Sequence, residues 1–89
     1  MLTVELSSRA WRELESFPRH QAEAILDDLQ LLRSHPWPGP PKVKRLIGFP
    51  YFRLRTGDVR SIVNRTGDTV VVLRIVARKD FERVLKTLS

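Results

Sequence analysis

Tyr51-Phe-Arg-Leu-Arg-Thr-Gly-Asp-Val-Arg60 carries the strongest structural signal in the chain. It reads as two short strands meeting at Gly57-Asp58, a pair suited to a tight hairpin. With Thr56 opposite Val59, Arg55 falls opposite Arg60 and Arg53 opposite Ile62. Side chains alternate across a sheet, so Phe52, Leu54, Val59 and Val63 share one face, while Tyr51, Arg53, Arg55 and Arg60 share the other. Like charges placed directly opposite one another destabilise a sheet. Three arginines on one sheet face therefore predict an anionic partner there.

Downstream, residues 58–65 continue the second strand, and Thr66-Gly67-Asp68 turns the chain into Thr69–Val76. That strand carries Val71, Leu73 and Ile75 on one face and Val70, Val72, Arg74 and Val76 on the other, which predicts a central position. Pairing Val63 with Val71 would set Arg74 opposite Arg60 and enlarge the basic face; a slip of one residue would exchange the faces. Asp80 is positioned to cap a C-terminal helix with Phe81, Val84, Leu85 and Leu88 as its apolar stripe.

Upstream, Lys42-Val-Lys-Arg-Leu-Ile-Gly48 reads as a basic strand or loop, broken from the hairpin by Pro50. Pro36-Trp-Pro-Gly-Pro-Pro41 is a stiff, extended connector. Before it, Ala22, Ile25, Leu26, Leu29 and Leu32 recur at helical spacing, with Glu23, Asp27 and Asp28 on a solvated face. Pro18 separates this helix from a shorter one that Ser7 or Ser8 caps, with Trp11, Leu14 and Phe17 as its core stripe. Leu2, Val4 and Leu6 alternate with polar residues, the pattern of an edge strand. The expected architecture is α+β, in the order β-α-α-β-β-β-α. An antiparallel twisted sheet is covered on one face by an N-terminal helical hairpin and followed by a C-terminal helix, all in one domain spanning residues 1–89.

Composition narrows the function. The 89 residues carry a net charge of +6, no cysteine and two histidines, His20 and His35. A disulfide framework and a thiolate metal site are excluded, and a histidine zinc site is not expected. Nor is any cofactor expected: there is no Gly-rich phosphate loop and no Ser/His/Asp arrangement. No apolar run is long enough to cross a membrane, and the N-terminus lacks signal-peptide features, so a cytoplasmic protein is expected. Residues 1–41 hold four Lys/Arg against six Asp/Glu, whereas residues 42–89 hold twelve against four. This asymmetry points to nucleic acid or an acidic protein as the partner of the C-terminal half.

Lys42, Lys44, Arg45, Arg53, Arg55 and Arg60 fall within nineteen positions, with Arg74 and Arg78 expected beside them. Guanidinium groups clamp phosphate in bidentate fashion. Such a cluster can hold a phosphate backbone, or stabilise the charge that builds when an RNA 2′-hydroxyl attacks its own phosphate. Tyr51 could stack on a base. Acid–base candidates are scarce: Asp58 is explained by the turn, and Glu82, four residues after Arg78, by a helical ion pair.

The motif Arg53-Leu-Arg-Thr-Gly-Asp-Val-Arg60, followed by Gly67-Asp-Thr-Val-Val-Val-Leu-Arg-Ile-Val-Ala-Arg78, resembles the signature of the RelE/ParE toxin superfamily. The likeness covers nearly the whole chain, and the RelE-like branch is favoured. It implies a type II toxin neutralised by a cognate antitoxin in an oligomeric complex. RelE-like members act on mRNA in the ribosomal A site, whereas ParE-like members inhibit DNA gyrase. By this resemblance Arg53, Arg60 and Arg78 match catalytic basic positions and Arg55 a neighbouring basic one, with Lys42, Lys44, Arg45, Tyr51 and Arg74 as RNA-binding candidates. The chain departs from the pattern at Ala77, where many members have histidine, and at Tyr51, where some have lysine. Near the C-terminal tyrosine position it offers only Phe81 and Glu82. The departures leave open a ParE-like role or a catalytically degenerate toxin.

Overall fold

A computed structural model describes residues 1–88. In chain order it contains β1 (Thr3–Leu6), α1 (Ser8–Ser16), α2 (Arg19–Gln30), β2 (Val43–Arg45), β3 (Phe52–Thr56), β4 (Val59–Thr66), β5 (Thr69–Ala77) and α3 (Phe81–Thr87). Short 3-10 turns at Leu31–Arg33 and Arg78–Asp80 extend α2 and precede α3. The α+β architecture matches the expected one, with one further short strand, β2, in the stretch that read as strand or loop. Among the described residues, no helix is long and apolar enough to cross a membrane.

The sheet order is β1-β5-β4-β3-β2. Strands β2 to β5 form the expected antiparallel meander, but β1 pairs with β5 in parallel, so the sheet is mixed at that edge. Chain direction explains the difference. The Leu2 N–H donates to Arg33 O, so α2 and its 3-10 turn end beside the start of β1. The proline-rich connector then carries the chain to the other end of the sheet, where the Arg55 N–H donates to Lys42 O. Strand β2 thus runs opposite to β1, and three reversals later β5 runs parallel to it.

The α1–α2 hairpin covers one face of the sheet, burying Ala10, Leu14, Ile25, Leu29 and Leu32 against Leu54, Val59, Val63, Val70, Val72 and Ile75. On the opposite face α3 buries Val84 and Leu85 against Ile62 and Val76. The α1 stripe differs from the expected one. Trp11 is half exposed, and Ala10 lies inside in its place. Ser7 caps the helix by accepting from the Ala10 N–H at 3.1 Å. One face of α1 is then drawn to the sheet by Glu13, which accepts from the Ile75 N–H at 2.9 Å. Positions 10, 13, 14 and 17 share that face. Glu13 also occupies the β5 edge beyond the end of β1, where a strand partner would otherwise be required.

The β4–β5 register also corrects the expectation. A two-residue turn at Gly67-Asp68, with Gly67 at φ +59°, pairs Thr66 with Thr69 and hence Val63 with Val72 rather than Val71. A bulge then leaves Leu73 unpaired, so Arg74 faces Ile62 and Arg60 faces Val76. Such an insertion shifts every later side chain by one position. It lets Val70, Val72 and Ile75 all point to the helical hairpin, and it sets Arg74 on the face of Arg53 and Arg60, opposite Ile62 rather than opposite Arg60. Asp80, expected to cap α3, makes no capping hydrogen bond; it lies in helical backbone geometry inside the 3-10 turn and pairs with Arg83 at 3.3 Å.

Candidate nucleic-acid interface

The β3–β4 hairpin forms as the sequence dictates. Gly57 takes the left-handed conformation, φ +57°, that the tight turn requires. Thr56 pairs with Val59, Arg55 with Arg60 and Arg53 with Ile62. Strand β2 then adds Lys44 directly opposite Arg53. One face therefore holds two like-charged cross-strand pairs, Lys44–Arg53 and Arg55–Arg60.

Arg60 anchors the face. It is only 7% exposed, and its guanidinium donates to Gly57 O at 2.7 Å and Val59 O at 3.1 Å. These bonds fix the group without neutralising it. Burial, with Arg53, Arg55 and Arg78 nearby, holds its pKa below the ordinary value, and Asp58 opposes that shift only weakly. Arg53 donates to Pro41 O at 3.1 Å; burial and then Arg55 depress its pKa too. Arginine nonetheless stays protonated in proteins. The Arg78 N–H donates to Asp58 O at 2.7 Å, which ties the turn before α3 to the hairpin and brings Arg78 beside Arg60. Among the described residues, Arg53, Arg55, Arg60 and Arg78 have no ion-pair partner.

These groups surround a cleft of about 460 Å³ lined by Lys44, Arg45, Leu46, Ile47, Arg53, Arg60, Arg78, Phe81 and Glu82. Arg45 also lies 5.7 Å over the Phe52 ring. Arg55, exposed next to Arg60, flanks the cleft. An open concavity with fixed guanidinium groups and little opposing charge suits a phosphate oxyanion.

Three residues flagged in the sequence are engaged elsewhere. Lys42 pairs with Asp28, whose carboxylate also accepts from Thr56 Oγ1 at 2.7 Å. Arg74 pairs with Glu13 through Nε at 3.0 Å and a terminal nitrogen at 2.8 Å. The Tyr51 hydroxyl donates to Leu88 O at 2.8 Å, and its ring stacks on Phe49 with centroids 6.5 Å apart. Asp28, expected on a solvated face, is thus a fold-holding group, and Glu13 is another. Conversely, Glu82 is among the residues that line the cleft, and the expected Arg78–Glu82 pair does not form. Arg78 lies in the 3-10 turn rather than in α3, and no ion pair joins the two. Among the described residues, no cluster of three or more His, Asp or Glu side chains could hold a metal.

No protein-family model matches the chain, and no curated protein matches it in sequence. Solved structures do match in fold. The archaeal RelE–RelB complex from Pyrococcus horikoshii superposes with a TM-score of 0.72 at 24% identity, over 86% of this chain and 94% of that one. The RelBE2 toxin–antitoxin complex from Mycobacterium tuberculosis gives 0.70 at 25% identity, over 86% and 98%. A chromosomal ParDE system from P. aeruginosa gives 0.69 at 12% identity, over 86% and 96%. The architecture is that of the RelE/ParE-type toxins, and it is common to both branches.

Proposed function

We propose that this chain, which carries the RelE/ParE-type toxin fold, is the toxin of a type II toxin–antitoxin system and acts as a RelE-like, ribosome-dependent mRNA endonuclease. One observation carries the reading: Lys44–Arg53 and Arg55–Arg60 face each other as like-charged pairs, and Arg53, Arg55, Arg60 and Arg78 have no ion-pair partner among the described residues. Such a face is unfavourable alone and favourable around a phosphate.

In this mechanism the 2′-hydroxyl of an A-site nucleotide attacks its own phosphate, and the 5′-oxygen leaves. Arg60, Arg53 and Arg78 meet the charge that grows on the phosphorane-like oxygens, while Lys44, Arg45 and Arg55 hold flanking phosphates. Preset hydrogen bonds on Arg60 remove the need to reorient it during reaction. The ribosome supplies substrate alignment. A cognate antitoxin of acidic or amphipathic character silences the protein in an oligomeric complex in the cytoplasm; RelE–RelB and RelBE2 are themselves toxin–antitoxin complexes of this fold. A second reading, gyrase inhibition by protein contact, is favoured by Ala77 at the position where many RelE-like members have histidine, and the fold is shared with a ParDE system at a TM-score of 0.69 and 12% identity.

Primer extension on mRNA in a reconstituted translation system separates these readings. Discrete cuts in the A-site codon, absent with Arg60→Ala, support the nuclease. An uncut message from a protein that still arrests growth, together with inhibited supercoiling, overturns it in favour of gyrase. A chain harmless when expressed without antitoxin is a degenerate toxin.

A further inference from the structure

The proposed reaction needs a group to take the proton from the attacking 2′-hydroxyl, and the arginines cannot supply it: guanidinium is a donor at every pH the protein meets. Lys44, as an ammonium, has no acceptor either. Both histidines fall outside the residues that line the cleft, and His35 lies 3.4 Å from Arg65 instead. Asp58 and Asp80 are also absent from the lining. Glu82, in the first turn of α3, is the one carboxylate among the lining residues, and Arg53, Arg60 and Arg78 line the same cleft. Resting on the nuclease reading, we propose that Glu82 is the general base of this site.

The charge pattern argues for catalysis over binding. Every other charged group lining the cleft is cationic: Lys44 and Arg45 from β2, Arg53 from β3, Arg60 from β4 and Arg78 from the 3-10 turn. A surface serving only to hold a phosphate backbone would bind more tightly with a neutral residue at position 82. A carboxylate there repels RNA phosphates, so it does not serve binding, and accepting a proton is the role that the cationic groups leave unfilled. The step balances simply. The proton passes from the 2′-oxygen to a Glu82 carboxylate oxygen as the 2′-oxygen bonds to phosphorus. The bond from phosphorus to the 5′-oxygen breaks, leaving a 2′,3′-cyclic phosphate, and the 5′-oxygen takes a proton from solvent. The arginines carry the intervening charge.

The test is single-turnover cleavage of mRNA in programmed ribosomes at saturating protein, with affinity for the same complexes measured in parallel, for the wild-type chain, Glu82→Gln and Glu82→Asp. Loss of a positioned proton-transfer group lowers rate by about 10²–10⁴-fold. Glu82→Gln should lose at least about 10²-fold in rate while binding as tightly as wild type or more so, and Glu82→Asp should recover part of the loss. Because Glu82 is exposed, neither change should disturb the fold, and thermal unfolding verifies this. A Gln variant that cleaves at the wild-type rate, or slows only through weaker binding, overturns the assignment. A wild-type chain that leaves the message uncut overturns the nuclease reading itself, and the role of Glu82 with it; the two failures are distinguishable because the second appears before any variant is examined.

Discussion

Arg74 and Arg60 sit on neighbouring strands and meet opposite fates. At the β5 edge, Arg74 is held by both oxygens of Glu13, which also accepts the Ile75 N–H, so charge and backbone are satisfied together. On the hairpin face, Arg60 is buried more deeply than most cations tolerate and is bonded only to carbonyl oxygens, with three arginines pressing on it. The same chain thus pairs an arginine where the fold needs it and leaves others unpaired around a cleft. The first arrangement is architecture; the second has the form of a site awaiting an anion.

The sharpest way to break this contrast is to remove charge from the cleft. Arg78→Ala should lower single-turnover cleavage by about 10²-fold or more, the scale of losing one oxyanion donor, with little change in the urea midpoint. A loss of stability without loss of rate would place Arg78 with the architecture instead.

Glu13→Ala should have the opposite signature. It strands a largely buried Arg74 and the Ile75 N–H, so stability should fall by about 2–3 kcal/mol in urea unfolding. Cleavage per folded molecule should be unchanged.

Anion binding comes next in size. A ligand held by the folded state alone stabilises it by about 2.7 kcal/mol at a hundredfold excess over its dissociation constant. Short single-stranded RNA should therefore raise the melting temperature, and added salt should erase the gain. Arg74→Ala should preserve the RNA-induced rise, while Arg60→Ala should lose it.

The smallest effect is the most diagnostic of a cost in the free protein. Arg55→Thr removes one member of the Arg55–Arg60 pair, so it should stabilise the apo chain by about 0.2–1 kcal/mol while weakening RNA binding. A destabilised Arg55→Thr would mean the like-charged pair is not a strain on the fold.

Where local chemistry determines geometry, the sequence was a sound guide. Gly57-Asp58 admits a two-residue turn, and that turn alone sets Arg55 against Arg60 and Arg53 against Ile62. The same logic applied at Gly67-Asp68 would have paired Thr66 with Thr69, but the bulge at Leu73 has no local signal. It arises because β5 must satisfy two cores at once, and it leaves Arg74 on the face of Arg53 and Arg60 but two residues from Val76, the partner of Arg60, where Glu13 engages it. Trp11 misleads for a related reason. Size favours it for the core, but the hydrogen bonds of Glu13 choose the helix face, and they favour Ala10. Glu82 was hidden by helical spacing, since four residues from Arg78 implies an ion pair only if both lie in one helix. The 3-10 turn separates them.

The most direct test of the unpaired arginine face is a side-by-side primer extension with Arg60→Ala and Arg74→Ala, each at equal concentration of folded protein on translating ribosomes. A-site cuts that vanish with Arg60→Ala and persist with Arg74→Ala are the predicted result. Cuts that persist with Arg60→Ala, or vanish equally with both, would contradict the division between a catalytic face and a structural edge.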